Sequence, residues 1–216
     1  MPNEQNSFEI FRMEPQNTNS VLVCHGKDCV IFDAWGCAAD WMRLLDSRGL
    51  NLRAIYSTHG HPDHISAAPD LAKQYDAIWY LHPADRNLIG WGNEILDMFG
   101  LKHLCAHHDV PSDLVAGKVR ILPDINMEII ETPGHSAGSV SYWFPEYKVL
   151  LSGDTIFRDG FGRYDLPGGD KGALEQSISK IHDMNLPEDT YIVHGHGLDS
   201  TVKILKETNK FFKHYD

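Results

Sequence analysis

A layered α/β domain with mixed β-sheets is the fold class that the sequence predicts, on three observations. Short apolar runs bounded by turn residues recur along the chain, single helical patterns fall between groups of them, and 42% of the 216 residues are hydrophobic, enough to fill a sizeable core. The length suits one domain over residues 1–216, with no linker, low-complexity tract or repeat inside it.

Taken in order, residues 8–13, "SVLVC" and "CVIFDA" read as strands, the last two joined by the turn "HGKD" into a hairpin. Ala38, Trp41, Met42 and Leu45 follow at helical spacing, and Gly49 stands where a helix stops. "RAIYST" is the next strand, "ISAAPDLAKQY" a helix and "AIWYLH" a strand. Residues 83–119 carry Gly90, Gly92, Gly100 and Gly117 among scattered apolar side chains, the pattern of a short helical cover with loops. "VRILP", "MEIIET", "SVSYWF" and "KVLLSGD" resume the strands, Leu174, Ile178 and Ile181 mark a helix, and "TYIVHGHG" is the last strand. Asp199 or Ser200 is the expected cap of a final helix with Val202, Leu205 and Phe212 on its apolar face.

Composition excludes several partners. A formal charge of -11 disfavours nucleic acid and anionic membranes, both of which need a basic surface. No run of eighteen apolar residues occurs, and the N-terminus has no basic stretch followed by an apolar one, so a soluble cytoplasmic protein is expected. Cys24, Cys29, Cys37 and Cys105 have no C-x-x-C spacing and are expected to be reduced thiols.

Thirteen histidines are the compositional oddity, and three of them sit in "STHGHPDHIS". If the strand continues through Gly60, His59 and His61 project to one side and can grip one ion, while Pro62 turns the chain so that Asp63 and His64 face another. From the residue frequencies, H-x-H-x-D-H arises by chance in roughly four of a thousand such chains. Three further metal-binding side chains stand where strands run into loops: His135 in "ETPGHSAGS", Asp154 in "LLSGDTIF" and His196 in "VHGHG".

The order H-x-H-x-D-H, T-P-G-H-S, G-D-T and G-H-G resembles the metallo-β-lactamase superfamily along nearly the whole chain. Asp33 matches the aspartate that closes the family's early hairpin, although Ala34-Trp35-Gly36 replaces the usual Pro-Gly. The resemblance implies a four-layer αββα sandwich of two mixed sheets flanked by helices, with two divalent metal ions at one edge, zinc first and iron or manganese as alternatives. It implies His59, His61 and His135 on the first ion, Asp63, His64 and His196 on the second, and Asp154 bridging, with His194 a neighbour and not a ligand. Two such cations take the formal charge from -11 to -7, so the cleft can draw an anion. A water shared by ions ~3.5 to 4 Å apart has its pKa lowered from ~15.7 to about 7, and Asp63, as catalytic residue, would orient the resulting hydroxide.

"SGDTIFRDGFGRYDLPGGD" resembles the glyoxalase II branch, in which a basic residue at the place of Arg163 contacts glutathione; Arg163 with Tyr164 is therefore the expected substrate anchor. The chain ends 20 residues past His196, without the branch's C-terminal helical domain, so residues 83–119 are expected to form part of the pocket wall. The expected activity is hydrolysis of a small-molecule acyl thioester of the hydroxyacylglutathione type. The alternatives within the fold are a persulfide dioxygenase with one iron on His59, His135 and Asp154, a lactone hydrolase, and a non-catalytic metal-binding module. The remaining histidines, His25, His82, His103, His182 and His214, and the pair in "AHHD", are expected to be ordinary turn and surface residues.

Overall fold

The computed structural model describes residues 6–104 and 111–212. Its first sheet runs β1 (Asn6–Met13), β2 (Thr18–His25), β3 (Asp28–Phe32), β4 (Asn51–Tyr56), β5 (Ile78–Leu81) and β6 (Ser112–Asp113) in spatial order. The first three strands pair antiparallel and the rest parallel, so the sheet is mixed. The second sheet comprises β7 (Gly117–Leu122), β8 (Ile125–Glu131), β9 (Val140–Phe144), β10 (Val149–Gly153), β13 (Tyr191–His194) and β14 (Ser200–Thr201), with β10 and β13 its one parallel pair. Between β10 and β13 lies a small hairpin of β11 (Ile156–Phe157) and β12 (Gly160–Phe161).

Alternation along the strands makes the layers. In β3, Val30 and Phe32 face the second sheet, where they meet Tyr142 and Phe144, while Ile31 faces outward onto helices α1 (Ala38–Arg48) and α3 (Ala68–Tyr75) through Trp41, Leu45 and Leu71. In the second sheet Leu151 and Val193 point inward, and Leu150 and Ile192 outward onto α5 (Lys171–Asp183) and α6 (Val202–Thr208). Each fully buried Leu, Ile or Phe contributes about 1.5–3 kcal/mol, so three packed layers of them hold both sheets to each other and to their helices. The result is the αββα sandwich. Among the described residues no helix is long and apolar enough to cross a membrane.

The structure departs from the sequence expectations in four places. β4 ends at Tyr56, so Thr58 to Gly60 lie beyond the strand: the Thr58 amide is captured at 2.7 Å by the Asp33 carboxylate and the Gly60 amide at 2.9 Å by Asp85. The expected helix after the histidine motif is two, α2 (Pro62–Ile65) and α3. Residues 83–119 hold a regular thirteen-residue helix, α4 (Arg86–Met98), that runs through both glycines; a Cβ on Gly92 would press on Pro62 at 3.2 Å, so glycine there lets α4 sit directly on α2. Finally, Thr201 and not Asp199 or Ser200 caps α6, accepting from the Ile204 amide. Ser200 belongs to β14, and Asp199 is held by Arg12 at 2.6 Å and Tyr191 at 2.8 Å. The helix also stops before Phe212, whose amide bonds the Asn209 side chain.

Candidate metal centre

The loops that leave the strands at one end of the sandwich converge. The segment after β4 carries His59 and His61, α2 carries Asp63 and His64, the β8 to β9 loop carries His135, Asp154 directly follows β10, and His196 comes two residues after β13. Backbone bonds stitch the sheets together there: Val140 N to Thr58 O, Asn19 N to Gly195 O and Gly195 N to Gly153 O, all at 2.8 Å. The last of these, within the second sheet, brings the residue before His196 against the residue before Asp154. A Cβ on Gly195 would collide with the Asp154 carboxylate, so only glycine permits that approach.

All seven side chains expected at the site from the sequence come together. Their possible donor atoms form three overlapping groups, His59–His61–His135, His59–His64–Asp154 and Asp63–His64–His196, each with its atoms within 4.8 Å of one another. Asp154 spans the set, with oxygens 3.4 Å from His135 Nε2, 3.6 Å from His64 Nε2 and 3.3 Å from His196 Nε2. Four of the five rings are oriented by a partner on their far nitrogen: Thr58 Oγ1 for His59 (3.0 Å), Asp33 for His64 (3.0 Å), the Arg163 carbonyl for His135 (2.6 Å) and the Gln16 carbonyl for His196 (2.9 Å). Each therefore turns its Nε2 inward, the usual arrangement of imidazole ligands.

Electrostatics separates the set into two halves. Burial, aided by the neighbouring imidazoles, holds His59 well below the ordinary histidine value and His61 down to about 3, so these two rings present lone pairs at neutral pH. At His64 burial opposes the charge, but Asp33, Asp63 and Asp154 outweigh it and raise the pKa to about 10. Burial likewise pushes Asp154 up, yet His64, His196 and His135 hold it well below the carboxylate range.

A metal fits this donor set. His59 Nε2, His61 Nε2 and Asp154 Oδ1 are buried without a hydrogen-bond partner among the described residues, an arrangement that costs about 1–3 kcal/mol per group unless something else satisfies it. His61 Nδ1 and His135 Nε2 face each other at 2.8 Å, where a cation can take both lone pairs. Imidazole and carboxylate with no thiolate suit zinc, iron or manganese.

The centre floors a cavity of about 920 Å³ whose lining includes His61, Asp63, His135, Asp154, His196 and Arg163. Arg163 is tied through two nitrogens to Asp165 (2.7 and 2.8 Å), whose carboxyl it holds down to about 2. Tyr164 stacks on Phe161 and is not among the lining residues. His194 points away: its ring bonds the Ile156 carbonyl at 2.7 Å and Ser200 Oγ at 2.8 Å. His25 bonds Asn6, His82 caps a short turn, and His182 packs on Phe212. Cys24, Cys29 and Cys37 are free. The His103 side chain, Cys105, His107 to Asp109 and His214 lie outside the described residues.

Two residues at the site were not read from the sequence. Asp85, wholly buried, accepts from Gly60 N (2.9 Å), Ser136 Oγ (2.6 Å) and Gly138 N (2.6 Å), and so ties the His59–His64 loop to the His135 loop. Its only signal was an aspartate just past a strand in "HPAD", which reads as a turn former. Trp35, in the place of the expected Pro-Gly, lines the cavity.

The metal-free protein is expected to lose stability in mild acid. Burial lowers His194 to about 4, so its contribution is full above the unfolded value near 6.5 and disappears as pH falls from there toward 4, at up to about 1.4 kcal/mol per pH unit. His64 has the opposite sign, contributing fully below 6.5 and losing its contribution as pH rises through about 10. Denaturant unfolding at pH 7 and pH 5 measures the acid limb, and His194→Asn should flatten it; an unchanged slope in that variant contradicts the assignment.

The comparisons agree with this geometry. The metallo-beta-lactamase superfamily model matches residues 13–196. The Haemophilus influenzae hydroxyacylglutathione hydrolase GloC is 33% identical over 198 residues, covering 91% of this chain and 92% of that protein. Two crystal structures superpose closely at 32% identity: BLEG-1 B3 metallo-beta-lactamase (TM-score 0.85, 95% of this chain and 99% of that one) and TTHA1623 in a di-iron-bound form (TM-score 0.83, 94% and 99%). The chain belongs to the metallo-beta-lactamase superfamily, a class of metal-dependent hydrolases.

Proposed function

We propose that this protein hydrolyses small-molecule acyl thioesters of the hydroxyacylglutathione type, with two divalent ions, zinc by preference, in the cluster. The observation that carries the reading is the completeness of the second group: Asp63, His64 and His196 stand beside His59, His61 and His135 with Asp154 between them. The name of the Haemophilus relative supports the thioester, and the three cysteines among the described residues, all free, fit a reducing compartment such as the cytoplasm.

His59, His61 and His135 would hold one ion and Asp63, His64 and His196 the other, Asp154 serving both. A pair of ions held there would make a water acidic enough to ionise near neutral pH and would polarise the carbonyl under attack. Asp63, one-fifth exposed and on the cavity wall, would hold the second ion and orient the attacking water. The Asp33 carboxylate fixes His64 from behind, and the Arg163 carbonyl fixes His135. The Arg163 guanidinium exchanges Asp165 for a substrate carboxylate. Because that exchange only trades one exposed, solvent-screened ion pair for another, Arg163→Ala should raise KM for S-lactoylglutathione a few-fold and leave kcat nearly unchanged. Steady-state kinetics checks it; a fall in kcat alone would place Arg163 elsewhere in the cycle.

The decisive assay quantifies metal in the purified protein and measures turnover of S-lactoylglutathione, simple acyl thioesters, lactones and β-lactams, the last because of the BLEG-1 likeness. Two ions per chain with thioester turnover are expected. A fully loaded protein inert to every thioester refutes the reading, and one iron with oxygen uptake on a persulfide replaces it.

A further inference from the structure

The cavity above the cluster is walled by apolar side chains on the side of α4. Trp91, Ile95 and Phe99 stand at i, i+4 and i+8, one stripe along the helix, and all three line the cavity. The stripe beside it, Leu88, Gly92 and Leu96, is the one α4 buries against the protein. The two stripes lie about 60° apart and form one broad apolar face, of which the packing uses the Leu88 half and the Trp91 half is the second. The second is left open at the site: Phe99 is 75% exposed, Trp91 and Ile95 are half-buried, and the Trp91 ring lies 5.6 Å from that of His61. Trp35, Leu101 and Leu166 extend the same apolar lining. Among the described residues, histidines apart, Arg163 is the sole cationic side chain in the lining, and it is paired with Asp165.

We propose that the stripe Trp91–Ile95–Phe99 binds an extended apolar arm of the substrate, so that the enzyme prefers thioesters carrying a medium-length hydrocarbon chain to small hydrophilic ones. This rests on the hydrolase reading above and narrows its substrate class. An apolar arm laid along the stripe displaces water from surface that is otherwise wasted, and each methylene covered gains up to about fourfold in kcat/KM. At 1.5 Å per helical residue the stripe is ~12 Å long, so the gain levels off once the chain outruns it. A hydrocarbon arm along α4 makes no demand on Arg163, which stays available for a carboxylate elsewhere on the substrate.

The test uses the metal-loaded full chain and two substrate series, one lengthening the acyl chain on a fixed small thiol and one lengthening an alkyl thiol on a fixed acetyl group. In one series the ratio of kcat/KM for the eight-carbon to the two-carbon member should exceed about tenfold, and Trp91→Ala and Phe99→Ser should each cut that ratio severalfold. The ratio cancels general damage to the centre, and metal content with circular dichroism establishes that the variants fold. A ratio near one in both series, or one that survives both substitutions, overturns the proposal. The reading beneath it fails differently, by the absence of turnover at any chain length. In that event titration with S-octyl and S-ethyl thioethers, followed by tryptophan fluorescence, still decides: the octyl compound must bind at least about tenfold more tightly than the ethyl in the parent and lose that advantage in both variants.

Discussion

Replacing Asp154 with alanine is expected to strip the protein of metal and to lower thioester turnover by about a thousandfold or more. Asp154 is the carboxylate that reaches both halves of the cluster: its two oxygens lie within 3.6 Å of His64, His135 and His196, on rings that belong to different groups. Its loss leaves the first half with three imidazoles and the second with Asp63 as its one carboxylate. Removing an outer-sphere partner of a metal ligand costs roughly 10- to 100-fold in affinity, and loss of a ligand shared by two ions must exceed that. The same substitution removes the charge that, with Asp33 and Asp63, keeps a proton on His64 in the metal-free protein. Folding should survive, because the residue sits at a strand end and the three apolar layers lie below it. Metal analysis after dialysis, an assay at saturating added metal and a melting curve separate these effects. Wild-type metal content in Asp154→Ala would show that the two groups of histidines bind independently, and the bridging role would be abandoned.

The seven-residue cluster was legible in the sequence because each member sits in a short motif whose spacing survives folding: a strand, a tight turn, then the side chain. The layers were legible for a similar reason, since β3, β10 and β13 are buried on both faces and read as unbroken apolar runs. What was hidden depends on partners distant in sequence. Beyond Tyr56 the strand pattern continues in the letters, but Asp33 and Asp85 take the amides that a longer strand would have offered to its neighbour. In α4, Gly90 and Gly92 read as loop residues, and only the close approach of Pro62 explains why one of them stands inside a helix. Asp199 has a capping side chain at a helix entrance, yet Arg12, nearly two hundred residues earlier, holds it instead. Composition of a segment carries no trace of such competition.

Asp85→Asn should be the most damaging conservative change outside the ligands themselves. The carboxylate is wholly buried and acts only as an acceptor, one oxygen from Gly138 N and the other from Gly60 N and Ser136 Oγ. Asparagine keeps the shape but offers a single acceptor, so one of the two backbone amides must face an NH₂ group, donor against donor. Turning the amide over only chooses which loop suffers. A buried amide deprived of its acceptor costs about 1–3 kcal/mol, enough to lower the melting temperature by several degrees in a domain of this size. The loops concerned carry His59, His61 and His135, so the same strain spreads the first group, and metal affinity should fall about 10- to 100-fold, in line with other supports of ligating side chains. The second group, on α2 and after β13, does not touch Asp85 and should keep its ion more nearly as before. Chelator competition with one and two equivalents of metal therefore distinguishes a hinge between the loops from a general packing residue: selective weakening of one ion identifies the hinge, whereas equal weakening of both, or thermal destabilisation with unchanged affinity, shows that Asp85 serves the fold alone.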